Sequence, residues 1–247
     1  MAAAANKQAQ LTHLLNVLKK KVPGSPVEEG EPRPILEEVV YAILREGATP
    51  GQATVAYGKL KEAFFDWNEV RVSTVSEVSD AMHGLPDSGA KSQRIIELLQ
   101  EIFEDLYAFN LDDIAKKGVK QAAKQLARYK SGVGDFTVAW VTQKSLGGHA
   151  VPIDGPSLRV LHRLGIVDPE QDELESIRGT VEHYIPKASG AEFTERLINF
   201  AATICTAERP ACETCPMRPD CPFGQARLAK AKAAGKEKDA AKPKKKA

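Results

Sequence analysis

The segment Cys205-Thr-Ala-Glu-Arg-Pro-Ala-Cys212-Glu-Thr-Cys215-Pro-Met-Arg-Pro-Asp-Cys221 holds all four cysteines of a 247-residue chain, spaced C-x6-C-x2-C-x5-C. Four thiols this close in sequence can converge on one soft centre without a folded domain to gather them. Pro210, Pro216 and Pro219 prevent a regular helix, so the segment can wrap around that centre. Three chemistries compete for it. Paired disulfides belong to small secreted scaffolds, and Met1-Ala-Ala-Ala-Ala runs into Asn6, Lys7 and Gln8 rather than into the apolar core of a secretion signal. A structural zinc suits the ligand type, but zinc ribbons use two short C-x2-4-C pairs and only one is present here. An iron–sulfur cluster also takes four cysteines and tolerates uneven spacing. On chemistry alone the iron–sulfur reading leads and zinc stays open.

Upstream, the apolar period predicts a last helix over 192–204 that delivers the chain to Cys205. Further back, a helix is expected over 121–129, a tight turn at Ser131-Gly132-Val133-Gly134, and another helix over 136–142. A Gly-x-Gly turn opening a helix exposes backbone N–H groups, and the absence of Cβ allows close approach. With the helix N-terminus such a turn can seat one phosphate. By itself the pattern is common to short helix–helix turns. Beyond it comes Val151-Pro-Ile-Asp154-Gly-Pro-Ser-Leu-Arg159-Val160. Pro156 suits a first helical position, which makes Gly155 the expected cap and leaves Asp154 just outside the helix.

In this order, the hairpin, the Asp154 segment and the cysteine spacing resemble the helix-hairpin-helix DNA glycosylases of the endonuclease III and adenine DNA glycosylase type. The resemblance covers roughly residues 34–223. The hairpin is similar to that family's DNA-gripping L-P-G-V-G, and Val151–Val160 to its V-D-x-x-V-x-R-V segment, with Asp-Gly closest to the adenine branch. The resemblance implies a 4Fe–4S cluster on Cys205, Cys212, Cys215 and Cys221. It implies DNA contacts from Lys130, Gly132, Val133 and Gly134, and Asp154 as the carboxylate that stabilises the oxocarbenium-like sugar while a flipped base leaves. The departures are specific. Asp135 and Phe136 stand where the lyase branch has a basic residue and its Schiff-base lysine, and Lys130-Ser131 replaces Leu-Pro. Ile43 stands at the adenine branch's glutamate acid and Gly47 at its gap-filling glutamine. Glu37, Glu38 and Glu46 lie nearby without an assigned role.

Elsewhere the chain reads as helix. Leu11, Leu14, Leu15 and Leu18 mark an N-terminal amphipathic helix, and Pro23 to Pro34 a breaker-rich linker. Val55, Leu60, Phe64 and Phe65 are expected to form one apolar stripe, and Ile95 to Leu106 a strong helix. No period-two alternation appears, so the expected class is all-α. The expected organisation is an N-terminal helix and linker (1–35), a helical lobe (36–148) carrying the hairpin at 130–137, a cluster lobe (149–223) packed with the N-terminal helix, and a disordered Lys/Ala-rich tail (224–247). Residues 222–247 carry nine Lys/Arg against Glu237 and Asp239, a net of +7; with the whole chain at +1, residues 1–221 carry −6. An acidic body is unusual for a protein whose affinity comes from neutralising phosphates, so the tail is a candidate source of attraction. Together these readings give a monofunctional base-excision glycosylase acting on double-stranded DNA. A DNA-binding iron–sulfur protein that kept the scaffold and lost the chemistry is the alternative. A cytoplasmic monomer, nucleoid-associated if bacterial, without a membrane partner is expected.

Overall fold

The computed structural model describes residues 2–24, 32–168, 170 and 172–240. The middle of the breaker-rich linker (25–31) and the end of the tail (241–247) lie outside them. The described residues are all-α: twelve α-helices, two short 3-10 turns and no strand. None of these helices is long and apolar enough to cross a membrane.

Helix α1 (Ala2–Lys21) places Leu11, Leu14, Leu15 and Leu18 in a core made otherwise by the C-terminal half of the chain. The first lobe is built around α2 (Ile35–Arg45), which is buried on nearly every side. A helix apolar all round must be wrapped by others. Against it pack α3 (Pro50–Ala63), α6 (Ser88–Leu106) and α8 (Asp135–Lys144), and α4 (Trp67–Val72), α5 (Val75–Ala81) and α7 (Val119–Leu126) complete the lobe by packing on those helices. The one acid buried within α2, Glu38, accepts from Trp140 Nε1 at 2.6 Å and from Arg33 Nη1 at 3.2 Å. The second lobe joins α1 to α9 (Gly155–Arg163), α10 (Leu174–Tyr184), α11 (Lys187–Thr203), the cysteine segment and the start of α12 (Pro222–Ala240).

Helix α11 is shared between the two cores. Phe193, Leu197, Phe200 and Ala201 belong to the second core, while Ile198 packs into the first. Beneath this seam Arg45, only 1% exposed, donates to Glu195 Oε2 of α11 at 2.8 Å, and Lys144 reaches Glu195 Oε1 at 3.2 Å. Burial alone would raise the Glu195 carboxyl, but the two cations hold it below the usual carboxylate range.

Two expectations change. Helix α3 buries Ala53, Ala56 and Leu60, whereas Val55 is 57% and Phe65 96% exposed. Thr49 and Gln52 form a capping box that fixes where α3 begins, and at 3.6 residues per turn Val55 then falls on the outer face. The helix also ends at Ala63, so Phe65 sits on a connection and not on the stripe. The tail is helical through Ala240, where composition predicted no regular structure from residue 224. Its Ala, Lys, Arg and Gln are strong helix formers, and Pro222 occupies the first helical position.

Candidate active site

The hairpin lies between α7 and α8 and rests on α6. A Cβ on Gly132 would stand 2.4 Å from Leu98 Cβ and 2.8 Å from the Arg94 carbonyl oxygen, so this glycine is required by packing as much as by any ligand. Val133 buries its side chain, and its N–H donates to Tyr129 O at 2.9 Å. Gly134 caps α8 without a side-chain hydrogen bond, which leaves the first-turn N–H groups of α8 to outside acceptors. Lys130 is exposed beside them. Asp135 stands at this N-terminus with Arg178 of α10 at 3.8 Å. Phe136 is buried, its ring stacked 5.7 Å from that of Trp140. Phe136 is therefore part of the first core.

Asp154 is the N-cap of α9, one residue earlier than expected, with Gly155 opening the helix. Its Oδ1 accepts from Ser157 N–H at 2.8 Å, and this bond selects the aspartate over the glycine as cap. Its Oδ2 accepts from Gly47 N–H at 3.1 Å, across the seam between the lobes. The carboxylate is 2% exposed and lines a cleft of about 340 Å³ with Gly47, Thr49, Gln52, Arg159 and Ile198. This volume is at the lower end of the range for small-ligand clefts. Gln52 Oε1 is engaged by Thr49, and Arg159 donates to the carbonyls of Ala201 and Cys205. The three nearby glutamates are all committed: Glu37 to Tyr57 and Lys61, Glu38 to Trp140 and Arg33, and Glu46 to Arg94. Ile43 is fully buried, and Gly47 has a φ of +70° with open space where a Cβ would project.

Cys205, Cys212, Cys215 and Cys221 line one small pocket with Ile204, Pro210 and Phe223. Gly224 N–H points at Cys221 Sγ (3.3 Å) and Arg163 Nη1 at Cys205 Sγ (3.5 Å). Burial pushes the Cys215 and Cys221 thiols up. Arg163 also holds the loop itself, donating to Thr206 O at 2.7 Å and Ala207 O at 2.9 Å, with its guanidinium over the Phe223 ring. Four thiols on one pocket, two of them facing N–H donors, are chemically suited to a centre that binds thiolates.

Sequence reasoning missed Lys91 and Arg94. Lys91 Nζ is buried and donates to Leu44 O at 2.9 Å; burial pushes its ammonium down to about 8. Arg94 joins Glu46 (2.8 Å) to Gly132 O (3.1 Å). A signal was present: two cations lie three apart in the first turns of α6, where the helix dipole opposes positive charge. Such placement points to tertiary partners.

No protein-family model matches the chain. It is 28% identical over 136 residues to an endonuclease III homolog of Encephalitozoon cuniculi, covering 53% of this chain and 56% of that protein. It is 26% identical over 185 residues to Protein ROS1A of Oryza sativa subsp. japonica, 66% of this chain and 9% of that protein. The chain thus spans from under a tenth to about half of the length of these curated relatives. Among solved structures, a non-covalent endonuclease III–DNA complex superimposes with a TM-score of 0.69 at 22% identity, over 90% of this chain and 98% of that one. Sequence relatives and fold agree: the chain is similar to DNA glycosylases of the endonuclease III type and shares their all-α helix-hairpin-helix fold.

Proposed function

We propose that the protein is a DNA base-excision glycosylase that hydrolyses the N-glycosidic bond of a flipped base and has no lyase activity. The observation that carries this reading is Asp154, a buried carboxylate held by backbone N–H groups from both lobes at the wall of a cleft. As the bond breaks, its electron pair leaves with the base nitrogen and positive charge develops at the sugar C1′ and ring oxygen. A fixed carboxylate stabilises that charge without reorganising. Water then adds to C1′ and loses its proton, leaving an abasic sugar and the free base. The hairpin and the first turn of α8 would hold a phosphate of the same strand. A panel of lesion-bearing duplexes, scored for strand breaks after hot alkali, tests the reading; duplexes left uncut throughout would favour a scaffold that only binds DNA. Gly47 without a plugging side chain and Asp135 at the phosphate seat are the observations behind that second reading.

Phe136 makes the lyase prediction sharp. It has no nucleophilic atom, and Lys144 is turned to Glu195. Borohydride trapping on an abasic duplex should give no cross-linked band. A robust band that disappears in a single Lys→Ala variant would identify a replacement amine and overturn the monofunctional reading.

We also infer a 4Fe–4S cluster on the four cysteines. A single tetrahedral zinc draws four sulfurs to within about 4 Å of one another. All four thiols line one pocket, and the uneven C-x6-C-x2-C-x5-C spacing supports the cluster over zinc, which usually takes two short Cys pairs. Such a cluster would crosslink the second lobe.

The Lys-rich end of α12 is proposed to add non-specific affinity. Gly224 and Gln225 bond back to the cysteine segment, so the informative truncation removes residues 231–247 and spares them. The slope of log K against log salt should flatten by about 0.9 for each phosphate that the truncated chain no longer neutralises. An unchanged slope would leave the tail without a part in binding.

A further inference from the structure

Three cations secure the turn after α2. Lys91 Nζ holds Leu44 O (2.9 Å), Arg94 Nη1 holds Glu46 Oε2 (2.8 Å), and Arg45, the last residue of α2, donates to Ala48 O and pairs with Glu195. Between these fastenings lies Gly47, whose N–H donates to Asp154 Oδ2. With a φ of +70° and no side chain, Gly47 has no anchor of its own, and its backbone sits where its neighbours hold it. Arg94 reaches the other way as well, Nη2 donating to Gly132 O of the hairpin at 3.1 Å. A guanidinium is planar and rigid, so its two arms move as one. A continuous path therefore runs from Gly132 through Arg94, Glu46 and Gly47 to Asp154. Lys91 lies in the same field: its ammonium is pushed down by burial against the opposing pull of Asp87, Glu46 and Asp154.

We propose that Arg94 is a positioning residue that transmits engagement of the hairpin by a DNA backbone, through Glu46 and the Gly47 N–H, to the Asp154 carboxylate. This rests on the glycosylase reading for its consequence, though the brace itself exists without DNA. Arg94 does not line the cleft, so its effect passes through the turn. Displacing the hairpin shifts Gly132 O, the rigid fork carries the shift to Glu46, and the adjacent peptide alters the Gly47–Asp154 hydrogen bond. In a DNA-bound state the same path would hold the carboxylate in register with the sugar only when the hairpin is seated.

The test is residue-resolved amide exchange by NMR on the full chain, in wild type, Arg94→Gln, Arg94→Lys, Glu46→Gln and the Arg94→Gln/Glu46→Gln double variant. In the free protein, Gly47 N–H should exchange about tenfold or more faster in either Gln variant, the scale set by losing one charged hydrogen bond. The double variant should be no worse than the singles, because both cut one path. Arg94→Lys keeps the charge but not the fork and should rescue only in part. Val40, deep in α2, should keep its wild-type exchange throughout, which separates a loosened turn from an unfolded lobe. With a duplex carrying a non-cleavable abasic analogue, wild type should gain protection at Gly134 and at Gly47, and Arg94→Gln at Gly134 alone. Unchanged Gly47 exchange in both singles, multiplied effects in the double, or full DNA protection of Gly47 in Arg94→Gln would overturn the proposal. Wild type that binds no duplex would contradict the glycosylase reading and the DNA step, while the free-protein comparison would still decide the brace.

Discussion

Asp154→Asn should lose glycosylase activity by about 100-fold to 1,000-fold, the scale on which one preorganised electrostatic group acts at a transition state. The variant is informative because it removes the charge and keeps most of the structure. Asn is as good an N-cap as Asp, so its amide oxygen can accept from Ser157 N–H and α9 remains capped. The amide nitrogen must then face Gly47 N–H, donor against donor, where Oδ2 accepted at 3.1 Å. Gly47 is exposed and the bond part-buried, so water can reach the donor and the loss costs up to about 1 kcal/mol, or a fall in melting temperature of up to about 4 °C for a chain of this size. DNA affinity should stay within about a factor of three, since no phosphate-binding charge is removed. A variant that melts lower yet releases base at the wild-type rate would return Asp154 to the role of a helix cap alone.

The second large effect concerns the cysteine segment. Between Ile204 and Phe223 the backbone makes few bonds of its own, among them Ala211 N–H to Ile204 O and Arg218 N–H to Cys215 O, and three prolines interrupt it. Met217 and Cys221 are nevertheless buried in the second core. Arg163 grips the loop at both ends, at Thr206 O and Ala207 O and again at Cys221 and Phe223, and the proposed centre would hold the stretch between. Cys212→Ser should lose the brown colour and the iron, and should cost about 4 kcal/mol, or about 8–16 °C in melting temperature. The loss should concentrate in the second lobe: amides of α9 and α11 should lose protection while those of α2 and α6 keep it. A Cys212→Ser protein with wild-type stability, or a colourless wild type holding one zinc per chain, would contradict the cluster.

What could be read from the chain alone follows from how local each feature is. The cysteine spacing, the glycines of the hairpin and the Leu stripe of α1 are patterns within one turn or one helix, and each is legible without the fold. Asp154 stands out in the sequence, but its role as cap does not: the choice between Asp154 and Gly155 depends on a side-chain bond to Ser157 that a Pro-based rule does not weigh. Phe65 is misplaced when its apolar character is counted before the end of α3 is located. Helix α10 escapes anticipation; its buried residues, Ile177 and Val181, are too few to mark a stripe among its polar neighbours. Lys91 and Arg94 act on residues more than thirty positions away, and no periodicity encodes a partner at that distance. Their unfavourable place against the dipole of α6 is the one local sign.

Breaking an N-glycosidic bond, and no more, is the reaction proposed for this chain. Mass spectrometry of a single-turnover reaction on a lesion-bearing duplex measures this directly, because it reports both the free base and the mass of the strand. One free base per duplex and an intact strand carrying a hydrated abasic sugar are expected, both formed about 100-fold to 1,000-fold more slowly with Asp154→Asn. A cleaved strand bearing an unsaturated sugar end, or base release undiminished in Asp154→Asn, would contradict it.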